Sequence, residues 1–296
     1  MSNYEKGMTV KFGHYYQNNL QEKEAIEWLI LDKREDAYLL ISKNILDARA
    51  YNDTLNDVTW EICTLRTWLN MDFYMEAFDS SERRFICETV NPNKDNTAPL
   101  RMSMFGLTSG RTNVVSGGNT TKDKVFLLSW DEYDKYFKRD TNSASLIKLV
   151  EAQVAMFHPS DMNQVARAYI GIDAPATEYA KSRGLDSTNS IWLRSPGNTS
   201  QMAVNTMLGK ALYRPGCEVN DATNAVRPSL WVKKDAFLTE EERTEKQRLD
   251  NERRRKENEE RQRLLWKSNN QCQYCGGKFK GLFSKTCATC GRKKDY

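Results

Sequence analysis

Cys272, Cys275, Cys287 and Cys290 fall within nineteen residues, as two Cys-x-x-Cys pairs separated by eleven residues. Each such turn can present two thiolates to one ion, and two turns complete a tetrahedral sulfur shell. Gly276, Gly277 and Gly291 directly follow the pairs, where a metal knuckle needs backbone freedom. Phe279, Leu282 and Phe283 read as a miniature core, too little for so short a segment to fold without its metal. The expected ion is one structural Zn2+ per chain, because four protein ligands leave no open position for chemistry.

Charge divides the chain in the same place. The net charge of +4 is the sum of −2 over residues 1–238, +1 over 239–267 and +5 over 268–296. The body is therefore no electrostatic nucleic-acid binder, and any such role belongs to the basic tail. The remaining cysteines, Cys63, Cys87 and Cys217, are scattered and odd in number. That argues against a disulfide framework and for a reducing, cytoplasmic setting. No run of apolar residues is long enough for a membrane helix.

Three segments are expected: a body over 1–238, a charged helix over 239–267 and a ribbon over 268–296. In the body, Thr9–Phe12, Ile26–Leu31 and Tyr38–Ile41 read as strands rich in aromatic and β-branched residues. Ile62, Leu65, Trp68 and Leu69 share one helical face of Thr59–Asn70, and Ser80–Glu88 reads as a second short helix. Residues 89–124 read as a long loop, and Val125–Leu128 as a buried strand. Ser129 and Glu132 stand at capping-box spacing ahead of a helix. Residues 143–169 look helical with a break at His158–Pro159, and Ala174–Arg183 looks like a short helix with Pro175 at its start. From Asn189 to Lys233 the character is β.

The charged segment lacks Gly and Pro. Thr239 and Glu242 form a capping box, and Glu242–Lys246, Glu252–Lys256, Glu257–Arg261 and Glu259–Arg263 are acid-before-base pairs at i,i+4. With no apolar heptad stripe, it reads as a solvated single helix about 40 Å long at 1.5 Å per residue.

The body resembles the bacterial family called domain of unknown function 6273. The phrases VKFGHYYQ (Val10–Gln17), LLISK (Leu39–Lys43), LRTWLN (Leu65–Asn70), DKVFLLS (Asp123–Ser129), WLRSPG (Trp192–Gly197) and VRPSLW (Val226–Trp231) carry the likeness in order. The likeness runs over about residues 7–233, and residues 143–169 fit the pattern poorly. The resemblance implies a C-type-lectin fold in the version shared with formylglycine-generating enzymes. The fold class is thus α+β: an irregular mixed-sheet lectin-like body, a long charged helix and a zinc ribbon. CQYCGGKFKGLFSKTCATCG similarly resembles the short ribbons that bacteria append to intracellular proteins.

In the lectin-like reading, Trp192, Arg194, Asn205, Tyr213, Arg214 and Arg227 are the candidate ligand-binding residues. They lie in a turn-rich segment whose small polar and aromatic residues match adaptable binding loops. Asn205, Tyr213 and Arg214 are expected to be exposed, and Trp192 and Trp231 to be buried on neighbouring strands. No catalytic constellation is found. Cys217 stands alone where formylglycine generation needs a cysteine pair, and His14 and His158 have no partner near in sequence. The expected function is non-enzymatic binding of a protein or small ligand, without a membrane. The alternatives are an enzyme on the formylglycine-generating-like scaffold and nucleic-acid association through the ribbon.

Overall fold

A computed structural model describes residues 4–101, 108–137, 167–168, 172–187, 189–207, 211–281 and 285–295. The chain is a mixed α+β protein with two compact units, one ending at Ala236 and the other beginning at Phe237.

The first unit opens with three antiparallel strands, β1 (Thr9–Tyr16), β2 (Lys23–Lys33) and β3 (Ala37–Ser42). β4 (Asp47–Ala48) follows. All six residues of β3 are buried, which is the pattern of a strand covered on both faces. Gly13 sits at a register shift in β1 with φ +71°, and a Cβ there would lie 2.5 Å from the Phe78 ring. Glycine is therefore required at that bend.

Helix α1 begins at Thr64–Trp68, passes through a π-helical turn over Leu69–Phe73 and ends in Tyr74–Ala77. The expected helix over Thr59–Asn70 thus starts later and runs further. Ile62, expected inward, lies ahead of it and is 65% exposed. Phe73 and Phe78 pack beneath the sheet against Tyr15 and Phe12, with ring centroids 5.0 and 5.3 Å apart. Helix α2 is only Ser80–Arg83, held by an Asp79–Glu82 capping box.

Residues 89–124 are more ordered than their composition predicts. β5 (Thr89–Asn91) pairs antiparallel with β8 (Thr121–Asp123), and between them β6 (Asn96–Arg101) pairs with β7 (Thr108–Val115). Val125–Leu128 is buried and meets Ser229 through reciprocal backbone bonds at Phe126, without forming a full strand. The Ser129–Glu132 capping box opens helix α3 (Trp130–Tyr136). The helical element expected over 143–169 lies outside the described residues except at its end, where Arg167–Ala168 is a strand, β9. Helix α4 (Glu178–Ser182) takes Thr177 as its N-cap, so Pro175 stands ahead of the helix.

β10 (Trp192–Pro196), β11 (Met202–Met207) and β12 (Ala211–Glu218) form an antiparallel sheet extended by β9. β13 (Ala225–Val226) pairs with β4, and β14 (Ser229–Lys233) closes the first sheet against β3. Trp231 is half-buried there, with the Arg34 guanidinium 4.9 Å from its ring centre. Trp192 and Trp231 therefore lie in different sheets, and only Trp192 is fully buried.

The second unit holds helix α5 (Glu240–Ser268), opened by the Thr239–Glu242 capping box. Lys256 meets Glu252 at 2.8 Å, while Glu257 and Glu259 are approached from the other side by Arg253 and Arg255. Two short strands, β15 (Phe279–Lys280) and β16 (Thr286–Cys287), form the ribbon hairpin. Gly276, at φ +69°, lies against the Trp266 indole, 2.6 Å from where a Cβ would stand. The last turn of the helix is thus part of the ribbon's small core. Among the described residues, no helix is long and apolar enough to cross a membrane.

Candidate functional site

Strand alternation sorts the candidate residues of β10–β12 onto two faces. Trp192 pairs with Asn205, and Asn205 with Tyr213, so these three form one cross-strand row. That row is buried: Tyr213 is 4% exposed and Asn205 1%. The expected exposure of Asn205 and Tyr213 is therefore corrected. Asn205 is accommodated inside because its Nδ2 donates to Asn224 Oδ1 at 2.9 Å and to Cys217 Sγ at 3.0 Å. Trp192 is a core residue whose indole N–H donates to the Arg49 carbonyl. Arg227 is buried as well, donating to the carbonyls of Ser42 and Ile172 at 2.8 Å each. It ties backbone segments together, and burial lowers its pKa.

The neighbours of that row, Val204 and Arg214, look the other way, into a cleft of about 400 Å³. Arg194 also reaches the cleft, within the stretch of β10 where the register shifts between Trp192 and Pro196. The opposite walls are Pro92–Asn96 and the start of helix α3, from Ser129 to Glu132. Of the six candidate ligand residues, Arg194 and Arg214 line this cleft.

Charges in the cleft are held in place. Arg194 is 2% exposed and pairs with Glu132, while also donating to the Leu127 carbonyl at 2.9 Å. Glu132 accepts in addition from the Ser129 N–H at 2.7 Å, so the capping carboxylate is also the counter-ion of the buried arginine. Lys94 and Asp131 pair at 2.8 Å across the rim. Arg214 Nε donates to Asn96 Oδ1 at 2.8 Å, and the guanidinium lies 5.9 Å from the Trp130 ring centre. The Trp130 N–H donates to Ser195 Oγ at 3.0 Å. Sequence reasoning missed Asn96, Trp130 and Ser195 as site residues. Of these only Trp130 adjoins a local signal, the DEYD run at Asp131–Asp134, which marks a helix start and says nothing of a cleft.

Cys217 is not a cleft residue. Burial pushes its thiol up to about 11, so it stays protonated at neutral pH.

In the second unit the four Sγ atoms of Cys272, Cys275, Cys287 and Cys290 all lie within 4.8 Å of one another, a set that can hold one metal ion. The closest approaches are Cys275–Cys287 at 3.4 Å and Cys272–Cys290 at 3.6 Å. The Cys287 thiol is pulled down to about 6, chiefly by the backbone N–H of Cys290. Lys278, Lys280, Lys285, Arg292 and Lys293 around the cluster are exposed.

The chain belongs to a family described as Domain of unknown function (DUF6273), whose model matches residues 35–234. The matched region holds the whole cleft and ends before helix α5, and the first strand phrases, VKFGHYYQ among them, lie ahead of it. No curated protein and no solved structure matches the chain.

Proposed function

We propose that the body is a non-enzymatic binding module whose recognition site is the cleft between β10–β12, the 92–96 wall and helix α3. The observation that carries this reading is convergence. Arg194 and Ser195 on β10, Arg214 on β12, Lys94 in the 92–96 wall and Trp130 on helix α3 meet in one concavity, the usual form of a ligand site. A C-type-lectin-like arrangement belongs to the same proposal, supported by a small antiparallel sheet that presents one face to the cleft and buries the other. The enzyme alternative gains little from the site. Among the described residues the cleft lining holds no thiol or imidazole, and the acid beside Arg194, Glu132, is already spent on an ion pair and a helix cap.

The cysteine cluster is proposed to hold one structural zinc. A tetrahedron with metal–sulfur bonds of about 2.3 Å has edges of about 3.8 Å, and the sulfur spacings of 3.4 and 3.6 Å contract around such a volume. Thiolates of this kind suit a reducing, cytoplasmic setting. The ribbon is then a second contact, and its exposed lysines favour an acidic partner. Nucleic acid is the alternative partner there, and it would show as binding that falls steeply with salt.

The cleft reading is tested with the zinc-loaded full chain. Its seven tryptophans give seven indole signals after isotope labelling, and Trp130→Phe assigns one of them. Members of a chemically diverse fragment library should move the Trp130 signal and leave that of Trp266 in place. A library whose hits never touch Trp130 would overturn the reading.

A further inference from the structure

We infer that the cleft recognises a carboxylate, seated on the guanidinium of Arg214. The inference rests on the reading of the cleft as a ligand site and assigns its ligand a chemistry.

The first observation is a pre-set cation. Asn96 is buried, and its Nδ2 donates to the carbonyls of Pro196 and Gly197 at 3.1 and 2.9 Å. Its Oδ1 is thereby fixed, and it accepts from Arg214 Nε at 2.8 Å. That bond holds the arginine by its inner nitrogen and, among the described residues, leaves both terminal nitrogens, the two prongs of the fork, uncommitted. Among the described residues no carboxylate lies within ion-pair distance of Arg214. Asp131 is taken by Lys94 and Glu132 by Arg194, while the exposed Asp95 accepts from the Gly117 N–H. A half-buried arginine held without a counter-ion is a receptor for one.

The second observation is Arg194. It lines the same cleft at 2% exposure, and among the described residues its Nε–H has no acceptor. A buried donor left unmade is costly, of the order of 1–3 kcal/mol for such groups in general, and this one is closed to solvent, so it adds positive field behind the cleft wall. Ser195 Oγ accepts from the Trp130 N–H, so its own proton is free to donate. The donors thus outnumber the acceptors that could serve them.

The class of anion follows from the rest of the lining. Among the described residues, Lys94, Lys135 and Arg194 are paired with Asp131, Asp32 and Glu132, so the excess of positive charge in the cleft sits on Arg214. A monoanion balances that excess, whereas a phosphate dianion would meet three carboxylates. A planar carboxylate also matches the planar fork of a guanidinium in a two-bond pairing. The Trp130 ring beside Arg214 offers a flat apolar wall, so the favoured ligand carries its carboxylate on an aromatic or flat apolar body.

The test uses the zinc-loaded full chain, calorimetric titration and the Trp130 indole signal. The probes are benzoate and indole-3-acetate with their neutral amides, an N-acetylated dipeptide ending in phenylalanine with its C-terminal amide, and inorganic phosphate. The acids should bind and move Trp130, and their amides should bind at least about tenfold more weakly, the loss of one charge-assisted pair. Preference for the dipeptide acid would identify a peptide C-terminus as the source, and preference for the free acids a small metabolite. Arg214→Gln should remove the preference for acid over amide. Arg214→Lys, which keeps the charge and loses the fork, should retain only part of it. Unchanged thermal unfolding would show that both variants fold.

Acids and amides binding alike, acid binding that survives in Arg214→Gln, or tighter binding of phosphate would each overturn the inference. Neutral fragments moving Trp130 while every acid is inert would overturn it and leave the cleft as a ligand site. Silence of Trp130 toward compounds of every class would end both readings.

Discussion

Replacing Asp123 by asparagine should cost the body about 3–4 kcal/mol, although it changes one atom. The Asp123 side chain is fully buried. Oδ1 accepts from Arg66 Nε at 2.6 Å, and Oδ2 accepts from Trp60 Nε1 at 3.1 Å, Asn91 Nδ2 at 2.8 Å and Thr121 Oγ1 at 2.7 Å. Every partner is a donor. In Asp123→Asn an amide NH2 must take one of the two positions, and in either it meets a donor. Either way Arg66, only 23% exposed, loses its charge partner, and with the NH2 facing it the guanidinium loses its acceptor as well. Breaking one side of a buried pair costs about 3–5 kcal/mol in general. Facing the other way, the NH2 deprives the Trp60 and Asn91 donors, at about 1–3 kcal/mol each.

Since a domain's whole stability is about 5–15 kcal/mol, the loss should be large in urea unfolding followed by near-ultraviolet circular dichroism. Because Asn91 ends the strand that leads into the 92–96 wall, the variant should also weaken binding in the cleft. A midpoint equivalent to within about 0.5 kcal/mol of the parent, the range of an ordinary surface substitution, would refute the account of Asp123 as the hub of these four donors.

Truncating Trp192 or Tyr213 to alanine should each destabilise the body by about 3–5 kcal/mol in thermal or urea unfolding; an unaltered Tyr213→Ala would return that residue to the surface. Metal analysis of purified chain should give one zinc equivalent, lost in Cys287→Ser. Chelation should shift the emission of Trp266 while the melting of the body holds, and a Trp266 spectrum indifferent to chelator would separate the helix from the ribbon. Stability of the body should fall as pH rises from about 9 toward 12. Burial pushes the Cys63 thiol up to about 12 and that of Cys217 to about 11. The unfolded chain releases these protons first, so the native state binds more of them throughout that window. Cys63→Ser, which can keep the side-chain cap on the Arg66 N–H, should flatten the slope; an identical slope would rule the thiol out. An isolated 239–268 peptide should be helical at low salt and less so as salt screens its ion pairs, and a coil spectrum at low salt would count against the single-helix reading.

What could be read from the residues alone was what is local. The Cys-x-x-Cys pairs, the Ser129–Glu132 and Thr239–Glu242 boxes and the charged helix each depend on neighbours within a few positions, and each stands in the structure as spacing predicts. The strands of residues 89–124 are not legible locally because they are made by partners across the loop. β5 finds β8 some thirty positions away, and Pro99 sits in a two-stranded pair that composition alone argues against. Asn205 and Tyr213 are illegible for another reason: polarity suggests exposure, whereas an amide whose Nδ2 is met by Asn224 and Cys217 is tolerated inside. The cleft escaped because its walls come from four separate segments. Glu132 illustrates this, since its capping role is visible in sequence and its pairing with Arg194 is not.

β14 also imposes an order on the making of the protein. The first sheet is begun by residues 9–42 and completed only by Ser229–Lys233, so nearly the whole body must be synthesised before β3 gains its second neighbour. Until then AYLLIS, six consecutive residues that end up buried, has an unpaired edge of the kind that recruits strands from other chains. Helix α5 and the ribbon come after that closing strand. While they are being translated they tether a finished body to the ribosome, and this interval gives a long-range pairing time to form. A nascent chain cut short before Ser229 would leave that edge bare. Truncated products of this kind should aggregate, even though every residue of the cleft is already present.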